Sequence, residues 1–435
     1  MQEDLFDGLH ESLSGQIALD DVFEAYYECR KNKRRTVNSL AFELDFEREL
    51  IRLWREINSG KYKVSRSIAF VVKYPVQREV FAADFRDRIV HHLVISRLNG
   101  LFEKEFICDS YSCRDGKGTL YGVRRIRSKI EECSAGYTRD CYILKLDIRS
   151  FFMSIDKNIL YRMLFEFITE KYHAADKYIL LRLVKQIVYH NPEDNCVIKG
   201  KLSDWNGLPY HKSLFWSSRY CGLPIGNLTS QIFANFYLNR LDKYVTEELQ
   251  IKYYGRYVDD FVLIHEDKQV LLAAWKKIGA FLQAQLKLSL HPQKFYLQHY
   301  SKGVKFIGAV IKPNRVYIGN RSKNNLYRKI FSMLPRMAQS VGQVLGNLEK
   351  FAAGVNSYIG FMRHYNTYNL RLRILQMLDD TFLGEVSELE PNAAKFAIDK
   401  NFCKAGQKKR QLRKQRQYRR FQHQKQVKGE RDGFV

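Results

Sequence analysis

Apolar, strand-like runs occupy the middle of this chain, and helical patterns occupy its two ends. Residues 1 to about 60 read as mostly helical, with an aromatic-rich stretch at Phe23, Tyr26 and Tyr27 and a basic cluster from Arg30 to Arg35. Tyr142 to Asp156 reads YILKLDIRSFFMSID, in which Ile143, Leu144, Leu146 and Ile148 predict a buried strand. Tyr253 to Phe261 reads YYGRYVDDF and is followed by Val262-Leu263-Ile264, two apolar strands about a tight turn. That pattern predicts a β-hairpin. Gly303 to Ile311 (GVKFIGAVI) is another β-rich run, and Leu326 to Leu378 turns helical and amphipathic. Helices and then a Gly/Pro/Asn/Ser-rich insertion fill about 157–220. Its end reads NPEDNCVIKGKLSDWNGLPYHKSLFWSSRY, where Trp205, Leu208 and Trp216 make it more than a linker.

Carboxylates interrupt the two central strand patterns. Asp259 and Asp260 stand at the hairpin turn and Asp147 stands inside the upstream strand. An ionised carboxylate among apolar strands is costly without a counter-charge. A pair of divalent ions would supply it, and two-metal sites that activate a hydroxyl and steady a leaving phosphate hold their ions ~4 Å apart. An Asp-Asp pair by itself is ordinary on a solvated turn; the third carboxylate in a strand gives the pair its weight. Phe151 and Phe152 follow Asp147 closely, and an aromatic there would stand beside a nucleotide sugar and exclude a ribose 2′-hydroxyl. Both also read as core, and for Phe151 core is the favoured reading. Asp84, Arg86, Asp87 and Arg88 alternate in sign over one helical turn, as a salt-bridged surface does.

Three segments in order carry a resemblance. Asp147 with Phe151-Phe152, then Cys221 to Gln231 (CGLPIGNLTSQ), then Tyr257-Val258-Asp259-Asp260 resemble motifs A, B and C of reverse transcriptases. The likeness runs from about Lys73 to Arg373. Ile225 and Gln231, where most reverse transcriptases have Gln and Pro, are similar to those of diversity-generating retroelements of bacteria and phages. Ile232 to Leu238 resembles the helix that follows motif B. The resemblance implies an α+β, right-hand polymerase with fingers, a mixed-sheet palm and a helical thumb. The expected divisions are an N-terminal helical extension at 1–60, fingers at 61–140, palm at 141–320 with the 157–220 insertion, thumb at 321–395 and a basic tail at 396–435. It implies two Mg²⁺ ions, with Mn²⁺ as a substitute, on Asp147, Asp259, Asp260 and the Ile148 carbonyl. Lys294, in LKLSLHPQKF, resembles the motif D lysine that protonates the leaving pyrophosphate; it reads equally as a surface lysine.

Further roles follow by the same likeness. Lys73 and Arg78 would hold a dNTP triphosphate, a task that suits basic side chains, although both also read as solvated strand residues. Arg114 and Lys117, in DSYSCRDGKGTLYG, would face template or nucleotide. Phe152, Ile225, Gly226 and Gln231 would line the nucleotide pocket. Ile225 can pack but cannot hydrogen-bond, and apolar shape discriminates by only roughly 10–200-fold. The family implies error-prone copying opposite template adenine. Arg363, Arg371 and Arg373, among the aromatics of SYIGFMRHYNTYNLRLR, would grip a cDNA/RNA heteroduplex.

Charge agrees with a polyanionic partner: the formal net charge is +25. About a dozen basic residues follow Cys403, including Lys408, Lys409 and Arg410. That tail is an RNA-binding arm, a helix formed on RNA, or a solvated extension. The eight cysteines include no CxxC pair, so neither a zinc site nor a disulfide framework is expected. Reduced thiols fit a cytoplasmic, bacterial or phage-encoded protein. No apolar run is long enough to span a membrane. The expected partners are a retroelement template RNA, dNTPs and a small basic helical accessory protein, in an assembly of open stoichiometry. An antiphage-defence or otherwise domesticated reverse transcriptase is the alternative enzyme, and an inactive nucleic-acid-binding scaffold is the alternative of another class.

Overall fold

The computed structural model describes residues 15–31, 37–74, 76–333 and 341–382. The chain forms two compact units that divide between Ile307 and Gly308. The expected tail, with Lys408, Lys409 and Arg410, lies outside the described residues.

The first unit opens with helices α1 (Leu19–Arg30), α2 (Val37–Glu43) and α3 (Phe46–Asn58). Leu50, Leu53 and Ile57 of α3 recur at helical spacing and are fully buried. Tyr26 stacks on Phe46 with ring centroids 5.2 Å apart. Strands β1 (Ser67–Val72) and β2 (Arg78–Ala82) pair antiparallel. Helix α4 (Phe85–Glu105) then runs through the core with Ile89, Val90, Leu93, Leu98 and Phe102 buried. The sign alternation at its start is not a salt-bridged surface throughout. Asp84 caps the helix, accepting from the Arg86 amide at 3.0 Å, while Asp87 is buried and accepts from Tyr62 Oη at 2.9 Å and the Ser65 amide at 2.8 Å. Burial pushes the Asp87 carboxyl up to about 6.

Helix α5 (Thr119–Cys133) leads to β3 (Tyr142–Asp147), and the short helix α6 (Phe151–Ser154) follows. Helices α7 (Lys157–Lys171) and α8 (Lys177–Tyr189) pack together ahead of the insertion. The insertion contributes β4 (Cys196–Ile198), which pairs parallel with β1. Thus the insertion extends the β1–β2 sheet. Helix α9 (Leu228–Lys243) is buried over most of its length. Then come β5 (Tyr253–Tyr257), β6 (Asp260–His265), α10 (Lys268–Leu286), β7 (Tyr296–His299) and β8 (Val304–Phe306). The central sheet has the order β5-β6-β3-β7 with every pairing antiparallel. The parallel component of the expected mixed sheet is found at β1–β4 instead.

In the second unit β9 (Ala309–Lys312) and β10 (Arg315–Ile318) form a hairpin, followed by α11 (Asn320–Met333), α12 (Val341–Met362) and α13 (Tyr368–Phe382). Leu326, Ile330, Phe351, Val355, Ile359 and Leu375 are among the side chains of its own core.

One ion pair lies at the centre of the first unit. Arg256 on β5 and Asp242 on α9 are both fully buried, joined by Nε to Oδ1 at 2.6 Å and an Nη2 to Oδ2 bond at 2.5 Å. Tyr254 Oη donates to the same carboxylate at 2.7 Å. Nη1 donates to the Val258 carbonyl (3.0 Å), and Nη2 also lies within hydrogen-bond distance of the Asn235 carbonyl and Ser110 Oγ (both 3.3 Å). The pair is thus hydrogen-bonded on all sides, which a buried charge requires. Arg256→Met should lower unfolding stability by about 3–5 kcal/mol because it strands Asp242. The double variant Arg256→Met/Asp242→Leu should recover part of that loss, as measured by denaturant titration of both variants.

Candidate active site

The central sheet brings the three aspartates together. Asp147 closes β3 and Asp260 opens β6, and the two are directly opposite in the antiparallel register. Asp259 sits beside them in the two-residue turn between Tyr257 and Asp260, which are themselves paired. Val258, the other turn residue, has φ +57°. That conformation is strained for a β-branched side chain. The bond from Arg256 to its carbonyl holds it.

Like charges directly opposite on a sheet repel, and the electrostatics reflect it. Asp259 is pushed up to about 6, first by burial and then by the charges of Asp147 and Asp260. Asp260 is raised by burial, an effect that Lys145 opposes and Asp147 reinforces. Two lysines offset the cluster: Lys294 Nζ is 2.8 Å from Asp147 Oδ2, and Lys145 Nζ is 3.0 Å from Asp260 Oδ1. Lys145 was not anticipated, although a lysine inside the apolar run YILKLD was its signal.

Lys294 returns to Asp147 because residues 288–294 run back along the end of β3. Arg149 N donates to the Ser289 carbonyl and His291 N donates to the Asp147 carbonyl, at 2.9 and 2.8 Å. These bonds form the Ile148–Leu290 bridge and do not use the Ile148 peptide groups. Among the described residues no three carboxylate, imidazole or thiol groups already converge on one point. Asp147 and Asp260 are instead each engaged by a lysine. The donor set nonetheless fits a divalent cation: three oxygen-donor groups on adjacent strand ends, two of them with proton affinity raised by burial and then by their neighbours' charge.

Phe152 and Ile225 flank one small cluster made of Ala69, Phe81, Met153 and Leu214. Phe152 meets Phe151 edge-on at 5.5 Å, and Phe151 is buried core. The Ile225 carbonyl accepts from the Phe81 amide at 3.0 Å, which fixes the motif B loop on β2. Gly226 has φ +122°, and a Cβ there would lie 2.8 Å from Val80 Cγ1. Only glycine suits that contact. Gln231 is exposed and accepts from the Cys113 thiol at 3.2 Å.

The basic residues divide. Arg78 is exposed at the start of β2. Lys73 is exposed but pairs with Asp204 of the insertion at 2.8 Å. Such a surface pair is worth about 0–1 kcal/mol, so a polyphosphate could displace it. Arg114 does not face outward: its side chain is 4% exposed, bound to Glu103 at 2.8 Å and to the carbonyls of Ile107 and Ser110. It braces the segment that the likeness assigned to template contact. Lys117 donates to the Cys108 carbonyl at 2.7 Å, and burial followed by the Arg114 charge lowers its pKa. In the second unit Arg363 and Arg373 are exposed, whereas Arg371 is buried, and burial lowers its pKa. Arg371 therefore serves packing rather than an outward grip.

Glu79 was not anticipated either. Buried on β2, it accepts from Trp205 Nε1 (2.7 Å), Ser213 Oγ (2.6 Å) and the Leu214 amide (2.7 Å). It anchors the insertion to the strand that holds motif B.

The family model for reverse transcriptase (RNA-dependent DNA polymerase) matches residues 78–311, just over half of the chain. The chain belongs to the reverse transcriptase family. Reverse transcriptases work with divalent metal ions, in keeping with the donor set here. Protein YkfC of Escherichia coli (strain K12) is 24% identical over 64% of this chain and 73% of its own length. A Saccharomyces cerevisiae protein named for COX1/OXI3 intron 2 is 21% identical over 60% of this chain, but that alignment spans about a third of its own length (34%). Among solved structures, a truncated apo telomerase from Candida tropicalis is 15% identical over 59% of this chain and 55% of its own, with a TM-score of 0.44. Candida albicans telomerase in complex with a fragment of telomeric RNA is 11% identical over 74% of this chain and 60% of its own, with a TM-score of 0.42. These scores are too low to argue from. The matches reach the reverse transcriptase family without selecting a lineage inside it. Among the described residues no helix is long and apolar enough to cross a membrane.

The crowding at Asp259 has a sign that can be measured. Its carboxyl is raised in the folded protein, so the folded state holds the proton longer than the unfolded chain does. Stability is therefore lost as pH rises from about 4 through about 6. In chelator, Asp259→Asn should leave the melting temperature unchanged near pH 3.5. Above pH 7 it should raise it by several degrees, on the order of 3 kcal/mol. Thermal melts of both proteins across that range read the difference, and equal melts at pH 8 would remove the crowding argument.

Proposed function

We propose that the protein is an RNA-directed DNA polymerase of the diversity-generating type, which makes error-prone cDNA from a retroelement template RNA. The observation that carries the polymerase reading is the register that sets Asp147 opposite Asp260 with Asp259 in the adjoining turn. Asp147, Asp259, Asp260 and the Ile148 carbonyl would hold two Mg²⁺ ions, with Mn²⁺ as a substitute. When bound, such ions lower the pKa of a primer hydroxyl and neutralise charge on the α-phosphate and the leaving pyrophosphate. The remaining work falls to this chain's side chains. Lys294, when it leaves Asp147, is the candidate to deliver a proton to the pyrophosphate oxygen, a role worth ~10²–10⁴-fold. Lys73 and Arg78 would bind the dNTP triphosphate, and Phe152 would stand against the sugar and select deoxyribose.

Ile225 supports the error-prone reading, because it offers the nascent pair apolar shape alone. The chemistry implies a template RNA and dNTPs as partners, and the lineage adds a small basic helical accessory protein. An antiphage-defence reverse transcriptase would share the carboxylate geometry and would copy faithfully.

Asp147→Asn should preserve folding and RNA binding and abolish extension of a primed RNA template. Extension near the parent's rate would remove Asp147 from the metal site. Ile225→Gln introduces a hydrogen-bonding side chain at the pocket. It should cut misincorporation opposite template adenine by about tenfold, the scale of one neutral hydrogen bond. Sequencing cDNA made on a defined RNA, scored at each template base, is the readout. Low and uniform errors in the parent would favour the defence-type enzyme.

A further inference from the structure

The insertion between α8 and α9 exposes rings in a way that packing does not explain. Its buried side is fixed: Glu79 holds Trp205, Ser213 and Leu214, and Gln77 Nε2 donates to the carbonyls of Asp204 and Asn206 at 2.9 and 3.1 Å. On its outer side Tyr210 and Trp216 are 70% and 69% exposed, yet they meet edge to face at 4.8 Å. Large aromatics this exposed, held in a defined mutual geometry on a braced segment, are unusual without a ligand.

The charge around them is one-sided. Of the insertion's acidic side chains, Asp204 is paired with Lys73, Asp194 with Arg219, and Glu193 is half-buried with burial raising its pKa. Lys199, Lys201, His211 and Lys212 are exposed. Burial and then the charges of Arg149, Lys212 and His291 hold the His211 imidazole below its ordinary range. Arg149 and His291, two of the charges that act on His211, lie at the end of β3, where Arg149 N donates to Ser289 O and His291 N donates to Asp147 O. The surface joins flat apolar rings to a positive field that begins at the catalytic strand. Its complement is an anionic polymer with exposed π-faces, which is a single-stranded nucleic acid.

We propose that Tyr210 and Trp216, with Lys212 and Arg149, form a platform for single-stranded template RNA: two bases stack on the rings while the basic groups hold the phosphates. The choice of RNA rests on the polymerase reading above. A protein partner fits less well, because an apolar protein face would leave the lysines and Arg149 without counter-charge.

The test uses the full chain and fluorescein-labelled poly(U), followed by anisotropy at several salt concentrations. Tyr210→Ala/Trp216→Ala should weaken binding by roughly 10-fold or more with the salt slope unchanged. Lys212→Ala should lower that slope by about one unit. Tyr210→Phe/Trp216→Phe should retain affinity, since the rings remain, and should abolish the part of the parent's indole quenching by poly(U) that comes from Trp216. Melting temperatures near the parent's establish that each variant folds. A folded double-alanine variant with affinity within about twofold of the parent would overturn the platform. So would one that keeps RNA affinity but loses a co-purifying protein, which would make the face a protein-docking surface. Poly(U) binding needs no synthesis, so the two readings fail separately. A parent that binds through the rings but never extends a primer keeps the platform and loses the polymerase. A parent that extends, with variants of unaltered affinity, loses only the platform.

Discussion

The buried Arg256–Asp242 pair is the constraint on which the active site depends. Arg256 lies two residues before Val258, and its guanidinium reaches forward to that residue's carbonyl while its other protons tie α9 and Ser110. A turn with valine at φ +57° would relax if nothing held it. Relaxation would move Asp259 and Asp260, because both are attached to that turn. The ion pair therefore converts the rigidity of a largely buried helix into the placement of two carboxylates. Gly255 belongs to the same arrangement: a Cβ there would fall 2.3 Å from Tyr111 Oη, so β5 can lie against the Asp109–Tyr111 segment only without a side chain.

A second constraint opposes the first. Burial, and then the neighbouring carboxylates, raise the proton affinity of Asp259 and Asp260, and Lys294 and Lys145 offset only part of that. The lysines differ in setting. Lys145 is on the strand itself and mostly covered, whereas Lys294 is about half exposed on a returning segment. Lys145 is thus the more covered counter-charge, and Lys294 is the one more open to solvent.

The sequence made the aspartates legible for a physical reason. Charges inside apolar strands are costly, so Asp147, Asp259 and Asp260 stood out against their neighbours. Arg256 did not, because an arginine in YYGRY reads as a solvated strand residue and its partner Asp242 lies in a distant helix pattern. Alternation did hold the signal for Glu79: in REVFA it shares a face with Phe81, and both are buried. Arg114 was misread because a basic residue in a Gly-rich turn suggests phosphate, while the captor Glu103 lies eleven residues upstream on another element. Arg371 was misread for a similar reason, since basic and aromatic residues interleave both on nucleic-acid-binding helices and on packed ones. Strand pairing of the insertion with β1 had no local signal, as the three residues of β4 are too few to show a period.

Ile225 ties the motif B loop to the β1–β2 sheet. Its side chain packs against the cluster of Ala69, Phe81, Met153 and Leu214, and its carbonyl completes the bond to the Phe81 amide. Phe152 leans on the same cluster. Phe152 and Ile225 therefore share one apolar support. A polar side chain at 225 must either leave that support or bury its amide beside it, and an unpaired buried amide costs about 1–3 kcal/mol. Glu79 fixes the far side of the cluster through Leu214 and Trp205, so the support has little freedom to adapt. An isoleucine here satisfies the packing of β1, β2, the insertion and the motif B loop together.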